Sequence, residues 1–265
     1  MIAAPRPDAP PETAPLLDVA GMHHWFGGLH VIDGVSFSCQ RGLIKAIIGP
    51  NGAGKSTLFN LVAGSFPPVS GRIAFDGREV TGLPSHRVAS LGIVRTFQAS
   101  RLFPGMSVLE NVMAGRYARG RSGFLAGMLR LPSARHDERD ARRRSLETLE
   151  SLGLADLAGA DARSLPFGRQ RIVEIARAMV AEPRLLLLDE PACGLNIQET
   201  ERLGGLIRDI RSRGVTVLVV EHDMSLVMDI SDEVVVLDQG SLVAEGTPRE
   251  VQADPRVVAI YLGDA

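Results

Sequence analysis

The chain has no apolar run near the ~20 residues that a membrane-spanning helix needs. Its longest candidates, 185–188 and 215–220, are strand-sized and read as core. Net charge is also nearly absent, with 29 Lys and Arg against 31 Asp and Glu, a balance of -2. Nothing in that balance draws the chain toward nucleic acid or anionic lipid, so no nucleic-acid partner is expected. Cysteine is scarce. Cys39 and Cys193 lie far apart and match no metal or redox spacing, which points to inert thiols in a reducing compartment and hence to the cytoplasm. No charged-then-apolar leader opens the sequence, and residues 1–15, with five prolines among Ala, Asp and Glu, are expected to form a disordered lead-in. Neither a solenoid-length repeat nor a sustained heptad is visible, which excludes a repeat array and a long coiled coil.

What is present is apolar material, 45% of 265 residues, sufficient for a large core in one domain with an inserted lobe. Residues 16–39 alternate in short β-like segments with Val35, Phe37 and Cys39 on one face, and 72–80 repeat that style around a turn at Asp76-Gly77. An antiparallel β lobe is predicted. Between these segments come an apolar strand at 43–48, a glycine-rich turn, and a helix over 55–63 stopped by Gly64. From about 100 to 165 the pattern is helical and includes the charged stretch 135–144, which reads as a solvated helix face in an inserted helical lobe. Further on, 170–181 places Ile172, Ile175, Ala176, Met179 and Val180 on one stripe, and Pro183 ends that helix before the strand 185–188. Leu203, Leu206, Ile207 and Ile210 form another stripe ahead of strand 215–220, and 234–237 turns at Asp238-Gln239-Gly240 into 242–244. Alternating strand and helix predict an α/β core, largely parallel.

The chemistry is concentrated at Gly49-Pro50-Asn51-Gly52-Ala53-Gly54-Lys55-Ser56-Thr57, a P-loop with the required strand before it and helix after it. Small residues let the backbone wrap a polyphosphate, amides and a helix N-terminus aim positive dipoles at it, Lys55 reaches the outer phosphates and Ser56 offers a Mg²⁺ ligand. Kinases, GTPases, helicases and transport ATPases share such a loop. The second carboxylate site separates them: Asp189 at the C-terminal end of strand 185–188 is placed to hold Mg²⁺, and Glu190 beside it to polarise an attacking water.

With these motifs the chain resembles the ABC ATPase family from residue 16 to 263. Gln98 in Thr96-Phe97-Gln98 is similar to the family's Q-loop, which implies contact with Mg²⁺ and the attacking water and a link to the helical lobe. Leu165-Pro166-Phe167-Gly168-Arg169-Gln170 resembles the signature motif, and so implies that Leu165, Gly168 and Arg169 meet ATP held by an opposing cassette. Glu221-His222-Asp223 is similar to the H-loop, with His222 on the γ-phosphate, and Gly194-Leu195-Asn196 to the D-loop. Phe26 stands where the family stacks an aromatic on adenine, next to Trp25. The implied fold is a P-loop ATPase core with an antiparallel β lobe and an inserted helical lobe, spanning 16–265, and the implied ligands are ATP and Mg²⁺.

Where the general signature has Ser, Gly and Gln, this chain has Pro166, Phe167 and Arg169. Pro166 has neither hydroxyl nor amide donor, so donation to phosphate falls to the amides near Gly168, the helix N-terminus and Arg169. Asn196 replaces the more general Asp. These variants, with Arg95-Thr96-Phe97-Gln98, 106–112, Glu221-His222-Asp223-Met224 and Tyr261-Leu262-Gly263, resemble the ATP-binding subunits of branched-chain amino acid importers. That branch implies a second, different cassette, two transmembrane permease subunits and an extracytoplasmic binding protein, with this chain on the cytoplasmic face of the plasma membrane. Related branches move urea, short amides or lipopolysaccharide. A non-transport ABC ATPase and a P-loop kinase or GTPase are the rival readings. Cargo is not legible, because a cassette does not touch it.

Overall fold

The structure, a computed structural model, describes residues 14–96, 102–116 and 132–262. Gln98 and nearly all of the lead-in therefore lie outside the described residues. Two sheets organise the chain. The first is antiparallel, in the order β2-β1-β4-β5, formed by β1 (Leu17–Phe26), β2 (Leu29–Cys39), β4 (Ser70–Phe75) and β5 (Arg78–Glu79). Alternate residues Leu17 and Val19 of β1 and Val35, Phe37 and Cys39 of β2 are buried, as period-2 patterning requires, and a register irregularity after Val19 places the next buried residue of β1 at Met22. The second sheet runs β10-β9-β3-β8-β7-β6, from β3 (Ile44–Ile48), β6 (Ile93–Arg95), β7 (Leu185–Asp189), β8 (Thr216–Val220), β9 (Glu233–Asp238) and β10 (Ser241–Gly246). All its pairings are parallel except the β9–β10 hairpin.

Strands β3, β7 and β8 are buried along their whole length, which explains why they are mostly Ile, Leu and Val, with Lys45 the charge inside β3. Parity splits them between two cores. Ile47, Leu185, Leu187, Leu218 and Val220 face α1 (Lys55–Val62) and the antiparallel sheet. Ile44, Ala46, Ile48, Leu186, Leu188, Val217 and Val219 face α5 (Phe167–Met179), α6 (Ile197–Ser212) and α7 (Met224–Ile230). Burying a residue such as Ile207 fully contributes about 1.5–3 kcal/mol. Shorter helices α2 (Ser85–Leu91), α8 (Pro248–Ala253) and α9 (Pro255–Leu262) cap the edges.

A third core is purely helical. It joins Val108, Leu109, Val112 and Met113 of α3 (Val108–Arg116), Ala141 and Leu149 of α4 (Pro132–Ser151), and Val173, Ala176 and Val180 in and just after α5. Helix α5 thus serves two cores, and the single stripe expected from sequence is really two. Ile175 and Ala178 face the sheet, Val173 and Ala176 face the helices, and Ile172 and Met179 are only partly buried. The helix also begins at Phe167 rather than Gln170, with Pro166 as its N-cap, a position where a missing N–H costs nothing.

One buried charge was not foreseen. Lys45, in mid-strand β3, is 1% exposed and donates to Glu233, Glu245 and the Ser38 carbonyl. Burial opposes its charge, but the bonds to the two carboxylates outweigh it and hold the ammonium above the ordinary lysine value. Of the two cysteines, Cys39 is buried and its thiol is pushed up to about 12 by desolvation, whereas Cys193 is exposed, so burial makes only Cys39 inert. Among the described residues no helix is long and apolar enough to cross a membrane.

Candidate functional site

The glycine-rich loop connects the buried end of β3 to α1, and close approaches explain its composition. A Cβ on Gly49 would lie 2.1 Å from the Leu237 carbonyl oxygen, and one on Gly54 would lie 2.7 Å from that of Val31. Gly54 also has φ 97° and caps α1 with no side-chain bond, so the first-turn amides are left for another acceptor. Lys55 starts the helix but its side chain folds back: Nζ donates to the carbonyls of Gly49 (2.7 Å) and Pro50 (2.9 Å). Burial pushes this ammonium below its ordinary value, while the charge of Glu190 acts the other way. Burial pushes the hydroxyl of Tyr261 on α9 above its ordinary value, while the nearby Gly49 backbone acts the other way.

A cavity of about 310 Å³ opens over the loop, lined by Asn51, Gly52, Ala53, Gly54, Lys55, Ser56 and Thr57, with Val31 and Glu190 completing the wall. Of the residues expected to meet phosphate, Asn51 to Thr57 therefore share one space with Glu190, whereas Gly49 and Pro50 are not among its lining. Glu190 sits at φ 45°, a conformation unusual outside glycine and one that costs on the order of 1–3 kcal/mol. Its N–H donates to the Val220 carbonyl at 2.9 Å, which pins the end of β7 to β8.

Asp189 is 2% exposed, its Oδ2 accepts from Arg95 Nη2 at 2.6 Å, and its Oδ1 is buried with no hydrogen-bond partner. A buried carboxylate oxygen without a partner is costly on its own. With the Ser56 hydroxyl on the cavity wall, the donor set is hard oxygen of the kind Mg²⁺ takes, so the residues present fit that ion.

Two residues of the site had no role assigned from sequence. Arg95, at the end of β6, spans from Asn60 Oδ1 on α1 (2.6 Å) to Asp189. Glu221, fully buried, accepts from the N–H of Ala192 (2.7 Å) and of His222 (3.1 Å), tying the turn after Glu190 to the strand end that carries His222. Burial raises the Glu221 carboxyl above its ordinary value, and the backbone bonds offset part of that rise. An Arg closing one strand and a Glu closing another were the available signals, but their partners are set by strand order. The His222 side chain itself is 60% exposed.

Phe26 is 50% exposed and held edge-on by His24 (4.7 Å) and Phe66 (5.6 Å). Neighbouring Trp25 has a face covered by the His30 ring, 4.2 Å away and nearly parallel. Leu165, Gly168 and Arg169 do not line the cavity over the loop. Gly168 and Arg169 border a separate hollow between α5 and α6, and Arg169 Nη1 donates to the Gly153 carbonyl at 3.3 Å. Asn196 caps α6 and forms a reciprocal capping box with Glu199, so its amide replaces the general Asp without loss as a cap.

Fold and loop define the class: a P-loop cassette of the kind found in ABC transporters. The structure superposes on a nucleotide-free ATP-binding cassette from an ABC transporter with a TM-score of 0.84 and 31% identity, covering 95% of this chain and 100% of that one. It matches the ADP conformation of MJ1267, an ATP-binding cassette of an ABC transporter, equally well at 32% identity. The ABC transporter sequence pattern matches residues 32–193, and the chain belongs to that family. A second pattern, that of the branched-chain amino acid ATP-binding cassette transporter, matches residues 241–265. The chain is 45% identical to the high-affinity branched-chain amino acid transport ATP-binding protein BraF of Pseudomonas aeruginosa, over 95% of this chain and 99% of that protein. To LivG of Escherichia coli K12, which carries the same description, it is 43% identical with the same coverage.

Proposed function

We propose that this chain is the ATP-hydrolysing subunit of an importer for branched-chain amino acids. The observation that carries hydrolysis is the cavity whose wall joins Asn51 to Thr57 of the loop with Glu190, the residue that follows Asp189 and its unpartnered buried oxygen. The cargo reading rests on likeness to BraF and LivG along nearly the whole chain and on the matching segment 241–265.

In this reading the amides from Gly49 to Thr57 and the free N-terminus of α1 bind the phosphates, and Lys55 turns from the loop carbonyls to the β- and γ-oxygens. Phe26 offers adenine the open aromatic face, since a face of Trp25 is already stacked. Ser56 and Asp189, with Gln98, hold Mg²⁺, which supplies neutralisation of the charge on the transferring phosphoryl group. Glu190 takes the proton of the attacking water, and His222, on an exposed side chain steadied by Glu221, contacts the γ-phosphate. Leu165, Gly168 and Arg169 act on ATP held by a second cassette, a different chain rather than a copy. The chain works on the cytoplasmic face of the plasma membrane, where the helical lobe of about 100–165 docks two permease subunits that receive cargo from an extracytoplasmic binding protein. Gln98, which comes between the ATP core and that lobe in sequence, has the coupling role in this reading.

Co-expression with candidate permease subunits and a second cassette, followed by reconstitution in vesicles, tests the proposal. Uptake of leucine, isoleucine or valine that requires ATP is the expected result. Hydrolysis stimulated only by urea, an amide or lipopolysaccharide would overturn the cargo, and an assembled complex without ATP turnover would overturn the enzyme.

A further inference from the structure

At the hairpin of the antiparallel sheet, next to the loop cavity that Val31 helps to line, three ligand-type side chains converge. His23 comes from β1, and His30 and Asp33 from β2. His23 Nδ1 lies 3.4 Å from His30 Nε2 and 3.3 Å from Asp33 Oδ1, and His30 Nε2 lies 3.8 Å from the same oxygen. Among the described residues these three form the grouping of His, Cys, Asp or Glu close enough to share one cation.

The spacing is that of a coordination sphere. A triangle with these edges has its equidistant point about 2.0 Å from each corner. Zinc sits at about 2.0–2.2 Å from imidazole nitrogen and carboxylate oxygen, so one cation reaches all three atoms with no movement of the backbone. The local fold builds this arrangement. The β1–β2 register shifts between Met22 and His24 and again between His24 and Trp25, and such bulges re-aim side chains that regular alternation would separate. Trp25 then stacks on His30 at 4.2 Å with planes 8° apart, and His23 is parallel to Trp25 within 9°, so both imidazoles are held in fixed planes before any ligand arrives. The His side chains are 32% exposed and Asp33 53%, which leaves a path for the ion. Two hydrogen bonds have to yield: the one between His23 Nδ1 and His30 Nε2, and the one that the exposed Gly34 N–H donates to His23 Nδ1 at 3.2 Å, whose amide water takes when the nitrogen turns to a metal.

We propose that His23, His30 and Asp33 bind a divalent transition-metal cation of the zinc and nickel class, with water completing its coordination. Two imidazoles and one carboxylate favour such borderline ions over Mg²⁺ or Ca²⁺, which prefer all-oxygen sites. The site is independent of the nucleotide chemistry and adjoins it, because Trp25 of the stack precedes Phe26 in the same strand.

The test uses the full chain without a histidine tag and without nucleotide, carrying Cys193→Ser so that the exposed thiol takes no metal. Trp25 is the single tryptophan of the sequence, so Ni²⁺ bound beside it quenches all of the intrinsic tryptophan fluorescence. We expect a saturable quench by Ni²⁺ and one equivalent of Zn²⁺ by calorimetry. His30→Gln and, separately, Asp33→Asn should each weaken Zn²⁺ binding at least about tenfold while the melting temperature without metal stays the same. Asp33 is the more exposed ligand, so its variant decides the matter if His30→Gln disturbs the fold. Equal Zn²⁺ affinity in the parent and Asp33→Asn proteins, or no saturable quench at millimolar Ni²⁺, would overturn the site.

Discussion

The loop 49–57 and the segment 165–170 both meet phosphate in the proposed mechanism, yet they are built in opposite ways. The loop is tied up within its own chain: Lys55 is 7% exposed, its ammonium rests on two loop carbonyls, and neighbouring strands pass too close to Gly49 and Gly54 for any side chain. The segment lies at the surface. Pro166, Phe167 and Arg169 are exposed, and the bonds of Arg169 and Gln170 run to the backbone carbonyls of Gly153, Arg163 and Leu165. Groups held by burial are pre-organised and cost little to use. Groups held by exposed bonds gain an orientation only when a second surface covers them. This contrast is what a sandwich of two cassettes needs, with one half of each site complete in one chain and the other half supplied across the interface.

The sharpest way to break the comparison is at Arg95. Replacing it by Met leaves Asp189 a buried charge without its cation, and stability measured by denaturant unfolding should fall by about 3–5 kcal/mol. An unchanged midpoint would mean that the pair contributes nothing to the rigidity of the loop side. Glu190→Gln comes next. It should leave equilibrium binding of a fluorescent ATP analogue intact while slowing hydrolysis in the assembled complex at least ~10²-fold, and turnover near wild type would remove Glu190 as the base.

On the exposed side, Arg169→Gln should change stability by less than about 0.5 kcal/mol. Hydrolysis in the two-cassette complex should nevertheless drop about tenfold, as loss of a charge-assisted bond to phosphate implies. If turnover were also unchanged, Arg169 would be a solvated side chain and the contrast would lose its functional meaning.

The smallest effect concerns pH. Burial raises the Glu221 carboxyl above the ordinary glutamate value, so the folded chain holds that proton more tightly than the unfolded one. Stability from this group is therefore present below the unfolded value and lost as pH rises through the folded one. Glu221→Gln should flatten that decline in the difference between wild-type and variant melting temperatures across mildly acid pH; parallel curves would show that Glu221 does not titrate with folding.

Much of this was legible before any coordinates. The loop and its flanking strand and helix are contiguous, so their spacing carries their geometry, and Leu185 to Leu188 announces a strand that ends at Asp189. The alternation of Val35, Phe37 and Cys39 was equally plain. Helix α5 was harder to read, because a helix shared by two cores shows two overlapping stripes, and a pattern of period 3.6 does not reveal how many neighbours it has. Lys45 was passed over inside an apolar strand, since nothing nearby in the chain marks the carboxylates that neutralise it.

By itself, then, the sequence determined the family's loop, the acidic pair at the end of β7, the alternation of strand and helix and the near-neutral surface charge, all of which depend on composition or on neighbours within a few residues. Tertiary structure alone decided that Arg95 meets Asp189 across 94 positions, that Glu221 meets Ala192 across 29, and that Lys45 meets Glu245 across 200. The physical reason is the strand order β10-β9-β3-β8-β7-β6, in which most neighbours in space are far apart along the chain, so these three contacts form only after the sheet has assembled, whereas the buried pair Arg171–Glu174 lies three positions apart in one helix.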